Sequence, residues 1–204
     1  MGLLFLLISW QVAARGPLLR VDGRLSRALV HPDRASELLA DLGSAAVAVP
    51  VLAVALIWVA LRARDAGTDR WWLPSTAAAG MAAVQPVLVI SLKTLIARPG
   101  PPTMGPVTGF YPSGHTATAV IAYGGAALML WPWLSTPQSR RRVLTACLAL
   151  NLGVAFGLVR RGYHWPLDVL GSWCLGALLL YSLWLLLSRS RRRTSSGAPS
   201  TGPG

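Results

Sequence analysis

The hydrophobic positions of this chain fall into long runs without charged residues, and short polar segments between them carry almost all of the charge. Five runs are long enough, or nearly so, to cross a bilayer core, for which a helix needs about 20 residues. A sixth run, Met1–Ala14, is short and predicts a tilted or truncated first membrane helix. It lacks a basic leading region, which argues against a cleaved signal peptide. The five longer runs are Leu42–Leu61, Trp71–Leu92, Thr116–Pro137, Val143–Val159 and Val169–Ser188.

This pattern predicts an all-α fold, a polytopic membrane bundle of about six transmembrane helices. The segment 15–41 mixes charged and apolar residues, which favours a short interfacial helix or two after the first span, with a solvated connector as the alternative. Residues 1–188 are expected to form the membrane-embedded domain. Residues 189–204 predict a basic cytoplasmic tail that becomes disordered from Thr194, because that stretch is rich in Ser, Gly, Pro and Thr.

The arginines predict an orientation. In a six-helix alternation, the arginine-rich segments after the second, fourth and sixth spans all lie on one side, which the positive-inside rule makes cytoplasmic. Both termini are then cytoplasmic, and residues 15–41, 93–115 and 160–168 face outward. The arginines concerned are Arg62, Arg64, Arg70, Arg140, Arg141, Arg142, Arg189, Arg191, Arg192 and Arg193.

Composition supports a membrane protein and excludes several other classes. The 204 residues are 53% hydrophobic and 13% charged, about half the charged fraction of an ordinary soluble domain, and the mean hydropathy is +0.52. The net charge of +12 is explained by topology control, so no nucleic-acid partner is expected. Cys147 and Cys174 lie in apolar runs and do not suggest a disulfide framework. The single glutamate and the spacing of the histidines give poor support for a metal site.

Ser113, Gly114 and His115 follow the helix-blocking Pro112 and open a long apolar run. The first amides of a helix have no internal partner and lie at the positive end of its dipole, and glycine lets an anion approach the backbone closely. The pattern therefore predicts a phosphate cradle. A plain helix cap, with Ser113 as the N-cap, is the alternative.

His164 and Asp168 are four residues apart, which places them on one face of a helix. An aspartate that binds one imidazole nitrogen fixes the tautomer and leaves the other nitrogen free as a nucleophile or base. A purely structural pair is the alternative. Lys93, the only lysine, ends an uncharged run and is either a snorkelling cation or a point charge for phosphate oxygens.

Taken together, these residues resemble the type 2 phosphatidic acid phosphatase superfamily, whose motifs are K-x6-R-P, P-S-G-H and S-R-x5-H-x3-D. The second motif is complete in residues 112–115, the third keeps His164 and Asp168, and the first keeps Lys93 and Pro101. The order of the motifs and their placement at helix ends match over nearly the whole chain. The resemblance implies a six-helix bundle with the active site at its outer end.

The arginines of the first and third motifs are out of register. The first should lie at Gly100, and the serine–arginine pair of the third should lie at Gly157 and Leu158. The resemblance implies that nearby arginines bind the substrate in their place. These arginines are Arg98, Arg160 and Arg161.

The resemblance implies a two-step phosphoryl transfer without a metal or another cofactor. His164 attacks phosphorus, Asp168 orients the imidazole, and His115 protonates the leaving group and then activates water. The expected substrate is a lipid phosphate or pyrophosphate, at the outer face of what we expect to be a bacterial plasma membrane. The groups expected to hold the phosphoryl oxygens are Lys93, Ser113 and the Gly114 amide.

Two other functions remain open on the sequence. A catalytically impaired relative that binds lipid phosphate is favoured by the displaced arginines but not by the intact histidines. A transporter is disfavoured because the polar groups collect at one side of the membrane instead of near its midplane. The sequence leaves the oligomeric state unknown. Three tryptophans near helix ends are expected to be interfacial belt residues, namely Trp131, Trp133 and Trp184.

Overall fold

The structure is a computed structural model that describes the backbone of residues 1–195 and the side chains of residues 1–189. Within this range the fold is helical, and the only strand-like feature is an isolated antiparallel bridge between Pro99 and Thr108. The α-helices are α1 Gly2–Ala13, α2 Leu18–Leu29, α3 Arg34–Asp41, α4 Ala45–Asp65, α5 Leu73–Ile96, α6 Gly114–Ala119, α7 Gly125–Leu130, α8 Pro137–Arg161 and α9 Pro166–Ser195.

Four helices are long and apolar enough to cross a membrane: α4, α5, α8 and the Pro166–Arg189 part of α9. Helices α1 and α2 meet this test only as a pair, and they are bent by 87° relative to each other. The predicted fourth span is the continuous helical segment formed by α6, a π-helical turn at Val120–Gly124, and α7. The prediction of an all-α membrane bundle with about six transmembrane helices is therefore confirmed.

The α6–α7 segment lies at the centre of the bundle and packs on α4, α5, α8 and α9. Small residues make this close packing possible, as is typical of membrane helix interfaces. A Cβ at Gly176 would lie 2.4 Å from the Val120 side chain, and one at Gly124 would lie 2.6 Å from Leu180. The Tyr123 hydroxyl donates to the Leu42 carbonyl at 2.5 Å and ties the π turn to the start of α4.

The mixed segment after α1 forms two short helices. Helix α2 turns Asp22 and Ser26 inward and leaves apolar and basic side chains exposed. Helix α3 begins at a capping box in which Asp33 and Ser36 satisfy each other's backbone amides, and it packs along α8. These helices lie across the end of the bundle where α5 ends and α9 begins.

The opposite end of the bundle contains a cavity of about 550 Å³ between α4, α5, α7 and α9. Trp131, Trp133 and Trp184, expected to be belt residues, line it together with Trp71.

Near the C-terminus, Thr194 and Ser195 are the last residues of α9. The rest of the predicted disordered tail, residues 196–204, lies outside the described residues.

Candidate active site

The segment after α5 turns sharply to reach the site. Ala97 adopts a left-handed conformation (φ +46°) and ends the helix. The Arg98 carbonyl then accepts bonds from the amides of Gly109 at 2.8 Å and Phe110 at 3.1 Å, which folds residues 98–110 into a closed loop. This loop holds the Arg98 side chain inside the bundle end and leads the chain into Pro112.

Ser113 is the N-cap of α6. Its hydroxyl accepts from the Thr116 amide at 3.3 Å, and its side chain is fully buried. The Ser113 amide donates to the Asp168 carbonyl at 3.2 Å, and Ser172 Oγ donates to the Ser113 carbonyl at 2.8 Å. The start of α6 is therefore fixed against the start of α9. A Cβ at Gly114 would meet no atom within 4 Å, so there is open space beside the first residue of α6.

His164 lies in the tight connection between α8 and α9. Gly162 ends α8 in the left-handed region (φ +78°), and the amides of Tyr163 and His164 both donate to the Leu158 carbonyl. His164 Nδ1 lies 3.1 Å from Asp168 Oδ2, and both side chains are buried. Because Nδ1 is engaged, Nε2 is the nitrogen of His164 left free for chemistry.

Asp168 is fully buried and both of its carboxylate oxygens have partners. Oδ2 accepts from the Trp165 amide at 3.1 Å as well as contacting His164. Oδ1 accepts from Arg98 Nη1 at 2.5 Å. The second terminal nitrogen of Arg98 pairs with Asp22, so this guanidinium lies between two carboxylates. It also lies over the Trp165 ring, 5.4 Å from the ring centroid.

Arg160 and Arg161 lie at the end of α8 and pair with carboxylates near the start of α3. Arg160 contacts Asp33 at 2.8 Å, and Arg161 contacts Glu37 at 3.5 Å. The hydrogen bond from the Ser36 amide, reinforced by Arg160, lowers the pKa of Asp33 to about 2. All three arginines that the sequence nominated for the substrate are therefore held by carboxylates in this structure.

Lys93 lies in the last turn of α5, half-buried, and lines a cavity of about 410 Å³ together with Thr108 and Gly109. It makes no hydrogen bond or ion pair with the side chains described up to residue 189. His115 is exposed at the start of α6, close enough to Lys93 and His164 for their charges to interact. The structure thus places Lys93, His115, His164 and Asp168 at one end of the bundle.

Packing explains why residues differ from the family at two motif positions. A Cβ at Gly100 would lie 2.6 Å from the Phe110 ring, and a Cβ at Gly157 would lie 2.6 Å from the Ala40 amide of α3. Leu158 is buried beside it. Only glycine lets α3 approach α8 this closely, so the serine of the family motif would not fit at position 157 unless α3 shifted.

Sequence reasoning missed Asp22, which is buried on α2 and contacts both Arg98 and the start of α9. One signal pointed to Asp22 itself: Asp22 and Ser26 are four residues apart on the polar face of a strongly amphipathic helix. A second signal pointed to its partner. Arg98 is followed by Pro99, so the arginine–proline pair of the first motif is present two residues closer to Lys93 than the family spacing.

The fold and the site define an integral membrane protein with a histidine–aspartate pair and a second histidine at one end of a helical bundle. A sequence profile of the PAP2 superfamily matches residues 44–192. The chain belongs to the PAP2 superfamily, and the resemblance inferred from the motifs is confirmed.

Comparison with solved structures agrees with the fold. The transmembrane PAP2-type phosphatidylglycerolphosphate phosphatase from Bacillus subtilis matches with a TM-score of 0.73 over 92% of this chain and 96% of its own, at 20% sequence identity. At this identity the likeness establishes the fold. No curated protein sequence matches the chain significantly.

Proposed function

We propose that this protein is an integral membrane phosphatase that hydrolyses a lipid phosphate or lipid pyrophosphate through a phosphohistidine intermediate. The observation that carries the proposal is the His164–Asp168 pair, in which Nδ1 is engaged at 3.1 Å and Nε2 is left free, at the same end of the bundle as His115 and Lys93. Membership of the PAP2 superfamily over residues 44–192 supports the same chemistry.

In the first step, His164 Nε2 attacks phosphorus, a phosphorus–nitrogen bond forms, and the bond to the leaving oxygen breaks. His115 gives its proton to that oxygen. In the second step, His115 takes a proton from water, the water oxygen attacks phosphorus, and the phosphorus–nitrogen bond breaks. Phosphate leaves, and His164 returns to its neutral form with Asp168 still holding Nδ1–H.

Charge develops on the phosphoryl oxygens, and a small set of groups is available to stabilise it. Lys93 supplies a cation that no carboxylate within residues 1–189 neutralises by a direct ion pair. The Gly114 amide is the first of α6, and the space beside the Gly114 Cα is open. Ser113 serves the cradle mainly as the cap that fixes the start of α6, because its side chain is fully buried.

The substrate class follows from the position of the site at the ends of membrane-spanning helices. A lipid keeps its tail in the membrane while its phosphate reaches the helix ends. Phosphatidate, phosphatidylglycerol phosphate and undecaprenyl pyrophosphate all meet this description. We further propose that the site faces outward from a bacterial plasma membrane with the C-terminus in the cytoplasm, as the arginine distribution predicts, and that catalysis needs no metal.

The test is phosphate release from these three lipids by purified protein in detergent with EDTA. The wild-type protein is compared with His164→Ala and with His31→Ala, a matched control in the only histidine outside the site. We expect release by wild type and the control, and a loss of at least about a thousandfold in His164→Ala. Equal release by His164→Ala, or release only without EDTA, contradicts the mechanism.

One observation favours a second function, a relative that binds lipid phosphate without turning it over. Arg98, Arg160 and Arg161 are all engaged with carboxylates, and an arginine free to clamp the transferring group contributes orders of magnitude in phosphoryl-transfer rates. This function predicts saturable binding of a lipid phosphate by wild type, reduced by Lys93→Ala, with no release of phosphate from any lipid.

A further inference from the structure

Helix α2 has one acidic side chain, Asp22, and it is buried although most of the helix is exposed. Asp22 is 3% exposed, whereas its helix neighbours Val21 and Arg24 are exposed. An isolated carboxylate costs several kcal/mol to remove from water, so its partners decide whether the burial is tolerated. Asp22 has two: Oδ1 accepts from the Leu167 amide at 2.9 Å, and Oδ2 pairs with Arg98 Nη2.

Arg98 connects Asp22 to the histidine–aspartate pair, because it bonds to both Asp22 and Asp168. Its Nη1 donates to Asp168 Oδ1 at 2.5 Å, and the guanidinium is 5% exposed. With Oδ1 occupied by Arg98, Asp168 offers Oδ2 to His164 Nδ1. The contacts therefore form one chain from α2 to the nucleophile, through Asp22, Arg98, Asp168 and His164.

The balance of charges explains why this series of contacts includes Asp22. Arg98 beside Asp168 alone would offset the negative charge that stabilises a cationic imidazole at His164. Asp22 adds a second negative charge on the far side of Arg98, so the three groups together keep one negative charge facing His164. The bond from Leu167 also fixes Asp22 against the first turn of α9, the turn that carries Asp168.

We propose that Asp22 is a positioning residue for the reaction proposed above: it acts through Arg98 to hold Asp168 and so keeps His164 in the tautomer with Nδ1 protonated. Asp22 touches no reacting group. It lies on a helix outside the PAP2 match at residues 44–192, and the inference rests on the proposed function only for its effect on turnover.

The direct test is the tautomer of His164, read by long-range ¹H–¹⁵N NMR of protein labelled at histidine. The chain has three histidines, so three sets of ring signals need assignment, and His164→Gln identifies the relevant set. At about pH 8, where imidazole is mainly neutral, we expect a single Nδ1–H tautomer in wild type and in the matched α2 control Arg24→Gln. In Asp22→Asn we expect a mixture of both tautomers.

Kinetics give a second readout. Asp22→Asn is expected to lower kcat by about 10–100-fold, the range typical of residues that orient a catalytic ligand from one step away, with KM changed by less than about threefold. A loss confined to KM, or a tautomer and kcat equal to those of wild type, overturns the proposal. An equal loss in Arg24→Gln overturns it too, because the effect would then belong to α2 in general.

If Asp22→Asn does not fold, Asp22→Ser is measured in its place, because it also removes the charge but leaves room for a water molecule beside Arg98. A mixture of tautomers in this variant supports the proposal, and wild-type NMR signals and kcat overturn it. The NMR measurement does not depend on turnover. If wild type releases no phosphate, the proposed function fails while the tautomer still tests Asp22.

Discussion

The end of the bundle that holds the candidate site contains two ionic clusters that differ in burial. Asp22, Arg98 and Asp168 are 5% exposed or less, whereas the side chains of Arg160 and Asp33 are 34% and 40% exposed. In the buried cluster every charged group meets its partners with direct hydrogen bonds, and the backbone amides of Leu167 and Trp165 complete it. In the exposed cluster water can replace any partner.

The difference separates residues that look equivalent in the sequence. Arg98, Arg160 and Arg161 were all expected to bind the substrate, yet only Arg98 contacts a residue of the histidine–aspartate pair. A buried pair loses much free energy when one partner is removed, because the other charge stays unpaired away from water. An exposed pair contributes little, because solvent screens it. Three experiments test this division.

The largest effect on stability is expected for Arg98→Met. This change leaves Asp22 and Asp168 facing each other without a cation, which by comparison with other buried pairs costs about 3–5 kcal/mol of unfolding free energy. Denaturant unfolding in detergent micelles measures it. Arg160→Met is the matched control and should unfold like wild type. Equal unfolding of the two variants contradicts the distinction between buried and exposed clusters.

A smaller effect is expected for Gly157→Ser, which restores the residue type of the family motif. The new Cβ would lie 2.6 Å from the Ala40 amide and 2.7 Å from the Ser36 carbonyl, so α3 must shift and the ion pairs of Asp33 and Glu37 with α8 weaken. We expect a loss of about 1–3 kcal/mol, measured by the same unfolding assay.

The control for Gly157→Ser is Gly80→Ser, a helical position where a Cβ meets nothing within 4 Å. The tautomer of His164 should remain that of wild type in both variants, because the buried cluster does not include α3. A changed tautomer in Gly157→Ser would show that the two clusters are coupled.

The smallest effect is expected for the pH-dependent contribution of Asp33 to the stability of the fold. The folded-state pKa is lowered from 3.8 to about 2, so this carboxylate stabilises the fold above the unfolded pKa of 3.8, and that contribution is lost as pH falls through about 2. Asp33→Asn keeps a good N-cap but removes the charge. The melting temperature of wild type should exceed that of Asp33→Asn slightly at pH 6, and the two should converge near pH 2. A constant difference across this range contradicts the assignment.

The hydrophobic runs predicted the bundle well because membrane helices must satisfy their own backbone and need long apolar stretches. The central span was also predicted, although the structure breaks it with a π turn at Val120–Gly124. Within that turn, Tyr123 makes a tertiary contact with Leu42, which no local pattern reveals. The two helices of segment 15–41 could be expected from their mixed composition, but not the side on which each one packs.

The candidate site was predicted as far as local spacing determines it. The four-residue interval between His164 and Asp168 gives a contact wherever a helix begins at Pro166. The partners of the arginines depend on residues more than sixty positions away, such as Asp22 for Arg98, so counting along the motifs did not identify them. The role of Lys93 remains a prediction, supported by its place beside the cavity.

The contact from Asp22 to the Leu167 amide has a consequence for anyone dissecting this protein. The segment recognisable by homology, residues 44–192, contains every motif residue, yet a fragment cut to those limits would expose the Leu167 amide and leave Arg98 with one carboxylate in place of two. The smallest unit that keeps the polar network intact extends toward the N-terminus to include α2. Boundaries drawn from sequence similarity alone would divide this network between two pieces.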